Sequence, residues 1–293
     1  MRMIRPLLAG IVDYAGLFPP ASLAMSKAAS NYALYRNGTH AWMLGRFVLP
    51  VSRLTEFAFA VQQMPVESET STPWKLSVLV GVDWLGEMRI VEEFNRKMTF
   101  AKIDAVETRA SKAEEISRFQ QGVTAGMEVY IEVPVDSDPE LLAAIASAGV
   151  RAKVRTGGRT AEVFPTTANL VRFIQRCVTA GVRFKATAGL HHPMRSSYRL
   201  TYAPNSPSGP MFGFLNVFLA AAFARQGMSA TELALVLEEQ SPEAFQFDGN
   251  TILWRGHLLE QQDIEMARAT VATSFGSCSF REPVDELTSL GML

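Results

Sequence analysis

Lys153 and Lys185 lie in two short runs where charged and apolar residues alternate, Arg151-Ala152-Lys153-Val154-Arg155-Thr156 and Arg183-Phe184-Lys185-Ala186-Thr187. Neighbours in a strand point to opposite faces. With Ala152, Val154, Phe184 and Ala186 on the side packed by helices, Lys153, Arg155, Lys185 and Thr187 turn the other way. If the runs are adjacent strands, both ammonium groups enter one enclosed space, where burial and a neighbouring cation favour the neutral amine. A neutral lysine has the lone pair that attack on a carbonyl requires, so the pattern points to Schiff-base formation. The competing reading is that one or both lysines form structural ion pairs with Glu107, Glu132 or Asp104, although charge is costly to bury for structure alone.

Other chemistry-bearing residues follow these runs. Arg155 is a permanent cation two positions beyond Lys153 and suits a carboxylate or phosphate through paired hydrogen bonds. His191 and His192 are adjacent, and on an extended segment they point apart, so both do not hold one metal. One of them could be a ligand or proton carrier with Glu132 or Glu107. The turn Gly276-Ser277-Cys278-Ser279 could offer N–H groups and hydroxyls to an anion, although Glu282 brings a negative charge nearby. Cys278 reads as a small packed residue, since no histidine partner for it is evident.

The elements that must position these groups alternate along the chain. Eight β-rich runs are expected: Leu7–Asp13, Gly45–Leu49, Lys75–Gly81, Ala101–Glu107, Glu128–Val133, Val150–Arg155, Arg183–Thr187 and Ala272–Gly276. Helical patterns follow at Ser22–Arg36, Ser52–Gln63, Gly86–Lys97, Ser111–Gln121, Pro139–Ala148, Thr166–Ala180 and Pro283–Leu290. Gly122, Gly149 and Gly181 fall just past helix ends, and Pro139 and Pro283 suit first turns. The 25 residues from Glu107 to Glu132, and the 23 from Glu132 to Arg155, fit short βα units and parallel pairing. The predicted fold is an α/β (β/α)8 TIM barrel in a single domain over residues 1–293, with a doubly wound sheet as the alternative.

Between the seventh and eighth strands, about 191–270 reads as an insertion holding helices Phe212–Gln226 and Ala230–Glu239 and a hairpin Phe245–Trp254. Gly213–Ala224 is apolar nearly all round and is expected to be buried against the barrel or a second subunit. The turn-rich PNSPSGP before it is a lid candidate or a plain surface loop.

The 293 residues carry 28 basic and 29 acidic side chains, a net charge of −1, so there is no basic stripe for nucleic acid or a membrane surface. The apolar run near Phe214 is shorter than the roughly 20 residues of a bilayer span. Asp13 interrupts the apolar stretch after the first arginines, against a signal peptide, so a cytoplasmic location is expected. Only Cys177 and Cys278 are present, in no zinc pattern, and neither a metal nor an organic cofactor is expected.

Read in order, the segments resemble those of class I deoxyribose-phosphate aldolases. Val12-Asp13-Tyr14-Ala15-Gly16-Leu17-Phe18-Pro19 looks like the first-strand IDxTxLxP, Val48-Leu49-Pro50 like VxP, and Val80-Gly81 with Gly86 like GFPxG. Ile103-Asp104-Ala105-Val106 resembles VDxV and Tyr130-Ile131-Glu132 resembles ILE. Lys153-Val154-Arg155-Thr156-Gly157 is similar to KxSTG, Lys185-Ala186 with Gly189 to KxxGG, and Ser274-Phe275-Gly276-Ser277-Cys278-Ser279 to RFGASS. The resemblance implies that Lys153 attacks the carbonyl donor, Lys185 depresses its pKa, Asp104 with a water shuttles protons and Asp13 gives polar support. It also implies phosphate binding at Gly276, Ser277 and Ser279. Arg155 in place of a small serine, Ala15 in place of threonine and Phe47 where a small cysteine often sits point to a pocket of different shape.

The expectation is therefore a carbon–carbon lyase forming a Schiff base on a small anionic carbonyl substrate, with Lys153, Lys185 and Asp104 catalytic. Asp13, Glu132, Arg155, Thr156, Thr187, His191, His192, Gly276, Ser277 and Ser279 are the expected substrate contacts. The expected partner is a small molecule, and a homo-oligomer is left open. The alternatives are a metal-assisted barrel lyase or hydrolase using His191 or His192, and a non-catalytic sugar-phosphate binding protein.

Overall fold

The computed structural model describes residues 3–64 and 72–293. Its first seven strands are β1 (Val12–Tyr14), β2 (Leu44–Pro50), β3 (Trp74–Leu79), β4 (Ala101–Arg109), β5 (Glu128–Val133), β6 (Arg151–Arg155) and β7 (Phe184–Thr187). A hairpin of β8 (Ser196–Arg199) and β9 (Ser208–Met211) follows, then β10 (Gln246–Asp248), β11 (Thr251–Trp254), β12 (His257–Glu260) and finally β13 (Ala272–Ser277). β1 to β7 and β13 form a closed parallel barrel in the order β1-β13-β7-β6-β5-β4-β3-β2, the (β/α)8 TIM-barrel fold.

The helices are α1 (Ile4–Leu8), α2 (Met25–Arg36), α3 (Leu54–Gln62), α4 (Trp84–Lys97), α5 (Pro139–Ser147), α6 (Thr167–Ala180), α7 (Phe214–Arg225), α8 (Ala230–Glu238), α9 (Gln261–Thr270) and α10 (Arg281–Ser289). α6 shows why such segments are helical: the Thr166 side chain accepts from the Asn169 N–H at 3.2 Å, and Gly181 ends the helix in the left-handed conformation. Leu170, Phe173, Ile174 and Cys177, spaced three and four apart, are its buried stripe.

α7 is buried along nearly its whole length because it is enclosed within this chain, by α6, α8, α9 and β13. Its Phe214 ring stacks on Phe275 of β13 with centroids 5.0 Å apart. Asn216, its buried polar residue, accepts the Arg195 N–H and donates to the Val236 and Glu239 carbonyls, so no polar atom of that side chain lacks a partner.

Three local expectations change. The apolar run Leu7–Asp13 divides: residues through Leu8 are helical, Gly10 turns the chain with φ +59°, and the strand begins at Val12. Ser111–Gln121 forms a 3-10 helix over Ala113–Gln120 instead of an α-helix. The hairpin near Phe245 has a third strand, β12, which leads directly into α9 through Glu260, whose N–H donates to Asp263. Among the described residues, no helix is long and apolar enough to cross a membrane.

Candidate functional site

Strand parity places the two lysines as their sequences require. Lys153 and Lys185 are register partners on β6 and β7, while Ala152, Val154, Phe184 and Ala186 are buried on the alternating positions. On β5, Glu128, Tyr130 and Glu132 share one parity, with Glu132 beside Lys153. β4 is less regular. Its pairing with β3 skips Asp104, since Leu76 pairs with Ile103 and Ser77 with Ala105. This bulge resets the alternation and directs Glu107 into the barrel.

Glu107 links the lysines. Its Oε2 is 2.9 Å from Lys153 Nζ, and its Oε1 receives Lys185 Nζ at 2.7 Å and the Ser77 hydroxyl at 2.7 Å. Lys153 also pairs with Glu132 Oε2 at 2.9 Å. Lys185 donates to Asp13 Oδ2 at 2.6 Å, and Asp13 accepts the Ser274 hydroxyl at 2.9 Å and the Arg46 N–H at 2.8 Å. Lys185 and Asp13 are each 1% exposed, Lys153 5%.

This electrostatic setting changes the expectation of a neutral amine at Lys185. Burial opposes the charge on Lys185, but Asp13 and Glu107 outweigh it and hold the ammonium above its ordinary range. Burial likewise opposes the charge on Glu107, and Lys153 and Lys185 outweigh it and keep the carboxyl well below the carboxylate range. These contacts favour the charged forms of both Lys185 and Glu107. The structural ion pairs weighed against nucleophilic chemistry are present with Glu107 and Glu132, whereas Asp104 takes no part in them.

Asp104 belongs to a separate layer. It binds Arg46 at 2.6 Å, Arg46 reaches Glu128 at 3.1 Å, and Glu128 pairs with Arg151 at 2.7 Å. Glu128 and Arg151 begin their strands, so this network lies toward the amino-terminal end of the barrel, below the lysines. The resemblance placed the proton-carrying acid at Asp104; the carboxylate between the lysines is Glu107, three residues later.

A cavity of about 540 Å³ opens above the lysines at the carboxyl ends of the strands. Lys153, Lys185, Glu107 and Glu132 line it, with Arg155 and Thr187 from the same face. Leu200 and Met211, from beside and within the β8–β9 hairpin, form part of its wall. Ala188, with φ 59°, and Gly189, with φ 70°, turn the chain outward after β7. A Cβ on Gly189 would come within 2.7 Å of Gly157 Cα, so the β6 and β7 ends approach too closely for a side chain there. Thr156 ties these ends together: it is fully buried and its hydroxyl donates to the Ala188 carbonyl at 2.7 Å, outside the cavity lining. Phe47 also lies outside the lining, packed against Tyr14, Tyr32 and Phe57 on the helix side.

The histidines find partners that sequence order did not suggest. His191 Nδ1 is 3.2 Å from the Ser277 hydroxyl and 3.3 Å from Glu282, while His192 Nδ1 is 2.6 Å from Glu286 and its ring stacks on Tyr198 at 3.5 Å. Each thus meets a different carboxylate on α10, and Glu132 and Glu107 are engaged by the lysines instead. His191 lines the cavity; His192 does not. Ligand atoms of His192, Glu282 and Glu286 all lie within 4.8 Å of one another, a spacing that suits a cation, and none of the three lines the cavity.

The Gly276–Ser279 turn is largely self-satisfied. Ser277 is 1% exposed and bonded to His191, and the Ser279 hydroxyl accepts the Glu282 N–H at 3.1 Å. Gly276 and Cys278 reach the cavity, and burial pushes the Cys278 thiol up. Sequence reading missed Ser77 and Ser274, whose hydroxyls each hold an inner carboxylate. Single serines in strands carry no signal of that role.

No family model matches the chain, and no curated protein matches it. Among solved structures, a mutant of FabK from Thermotoga maritima aligns with 14% identity and a TM-score of 0.36, over 66% of this chain and 58% of that one. The aligned region thus spans under two thirds of the FabK chain.

Proposed function

We propose that the protein is a Schiff-base-forming lyase of aldolase type, with Lys153 as the nucleophile. The observation that carries this reading is the pairing of two lysines on adjacent strands through one carboxylate at the floor of the cavity. Lys185 is anchored by two carboxylates and nearly inaccessible, so it supplies a stationary positive charge. Glu107 is engaged by Lys185 and Ser77, and Lys185 by Asp13, so Glu132 is the cavity carboxylate placed to exchange a proton with Lys153.

In this scheme Glu132 accepts the Lys153 proton, the free amine adds to the substrate carbonyl, and Glu132 returns the proton to the hydroxyl that departs as water. The resulting iminium draws electrons from the adjacent carbon–carbon bond. The Glu132 carboxylate takes the proton of a hydroxyl on the far carbon as that bond breaks and a carbonyl fragment leaves, then returns it to the enamine carbon, and water hydrolyses the resulting iminium from Lys153. Arg155, with its side chain 53% exposed at the end of β6, faces an anionic group on the substrate.

Borohydride trapping with small aldehydes, ketones and 2-oxo acids, read by intact mass and peptide mapping, tests this. An adduct on Lys153 is expected; an adduct on Lys185 would exchange the lysines' roles. No adduct across the panel overturns the proposal. A metal-assisted reaction is less well supported, because His192, Glu282 and Glu286 do not line the cavity that contains the lysines.

A further inference from the structure

The charges around the cavity do not balance, and the excess lies on one side. Lys153 and Lys185 face three carboxylates, Asp13, Glu107 and Glu132, and the Arg155 guanidinium is 4.0 Å from Glu132 at the outer edge of that set. With Arg155 included, the inner group has equal numbers of positive and negative charges. Arg109 and Arg159 also line the cavity and are exposed, and among the described residues neither has a carboxylate within ion-pair distance. Arg109 ends β4 two residues beyond Glu107; Arg159 lies four beyond Arg155, in the loop after β6.

The nearby acids are otherwise engaged. Glu115 accepts the Ser111 and Lys112 N–H groups, and Glu162 is held by its own backbone and Thr160. A second cavity of about 750 Å³ shares Arg109, Glu132, Arg155 and Val163 with the first, so Arg109 and Arg155 stand on the wall between the two.

We propose that Arg109 and Arg159, flanking Arg155, bind the oxyanion of the substrate, a carboxylate or a phosphate ester, on the β4–β6 side of the barrel. The Gly276–Ser279 turn is a poorer host, because its hydroxyls are engaged and Glu282 stands beside it. This deepens the lyase reading and rests on it for the identity of the reacting end of the ligand. Planar guanidinium groups match both oxyanions, whereas a neutral ligand leaves these two cations without a partner.

Calorimetric titration of the intact protein with inorganic phosphate and with malonate tests the assignment, using wild type, Arg109→Gln, Arg159→Gln and Ser279→Ala. We expect at least one anion to bind, each arginine variant to bind it tenfold or more weakly, and Ser279→Ala to bind it as wild type does. Preference for phosphate indicates a phosphate ester; preference for malonate indicates a carboxylate. Absence of millimolar binding, equal binding in the arginine variants, or loss only in Ser279→Ala overturns the proposal. Trapping with acetone, a neutral carbonyl, separates the two readings. An adduct without arginine-dependent anion binding removes this inference alone, and anion binding without any adduct removes the lyase reading alone.

Discussion

Glu107 and Lys153 meet at 2.9 Å through one carboxylate oxygen, while the other oxygen is occupied by Lys185 and Ser77. Lys153 therefore has a partner that cannot follow it if it moves toward the cavity. Its second partner, Glu132, faces the cavity with it. The two lysines differ in freedom more than in surroundings, and this asymmetry supports the roles proposed for them.

Replacing Lys153 by arginine keeps a cation between Glu107 and Glu132 but removes the amine. We expect Lys153→Arg to melt close to wild type while giving no borohydride adduct and no turnover. Lys153→Ala should also lose the adduct and be less stable, because two carboxylates lose a partner. Intact mass and thermal denaturation report both effects, and an adduct in either variant would place the nucleophile elsewhere.

Lys185→Met leaves Asp13 and Glu107 buried without their shared cation. Breaking a buried pair on one side costs about 3–5 kcal/mol, which should appear as a lower urea midpoint. The double variant Lys185→Met with Asp13→Asn should recover part of the loss. Equal stability of single variant and wild type would show that the pairs contribute nothing to folding.

The pH dependence has a defined sign on each side. Glu107 is held below its ordinary 4.5, so its stabilising contribution is present above that value and is lost as pH falls toward the folded-state value. Lys185 is held above its ordinary 10.5, so its contribution is present below that value and is lost as pH rises toward the folded-state value. Urea midpoints should be level between these limits and fall outside them. In Glu107→Gln the acid-side decline should be shallower, and an unchanged acid limb would remove Glu107 as its source.

Asp104→Asn distinguishes the two acids of β4. The substitution affects the Arg46 pair below the lysines and should cost about 1.5–3 kcal/mol, the range for a hydrogen bond to a charged group. Adduct formation on Lys153 should stay within about threefold of wild type, a rate factor below 1 kcal/mol. Trapping kinetics decide the matter, and a hundredfold loss would return the proton relay to Asp104.

The barrel and its lysine pair were legible because β6 and β7 keep an unbroken period of two, with small or apolar residues facing the helices. β4 was not, because the bulge at Asp104 shifts parity within one strand and no residue type there announces it. The start of β1 was obscured because Leu7 and Leu8 suit a buried helix as well as a strand. The carboxylates that hold the histidines lie on α10, with Glu286 94 positions from His192, beyond the reach of local spacing. The charged state of Lys185 was hidden for the same reason, since Asp13 is 172 positions away.

That separation bears on how the molecule comes into being. Asp13 and Ser274 come from the strands whose pairing closes the cylinder, β1 and β13, and both help neutralise or orient the groups around Lys185. A nascent chain that has emerged only through β7 has Lys185 but not β13, whose pairing with both β1 and β7 brings Asp13 alongside. The charged interior therefore has its full set of partners only once β13 has paired with β1 and β7, and closing a loop of this span carries an entropic cost. Fragments truncated before β13 should expose this unbalanced interior and depend on chaperones or aggregate.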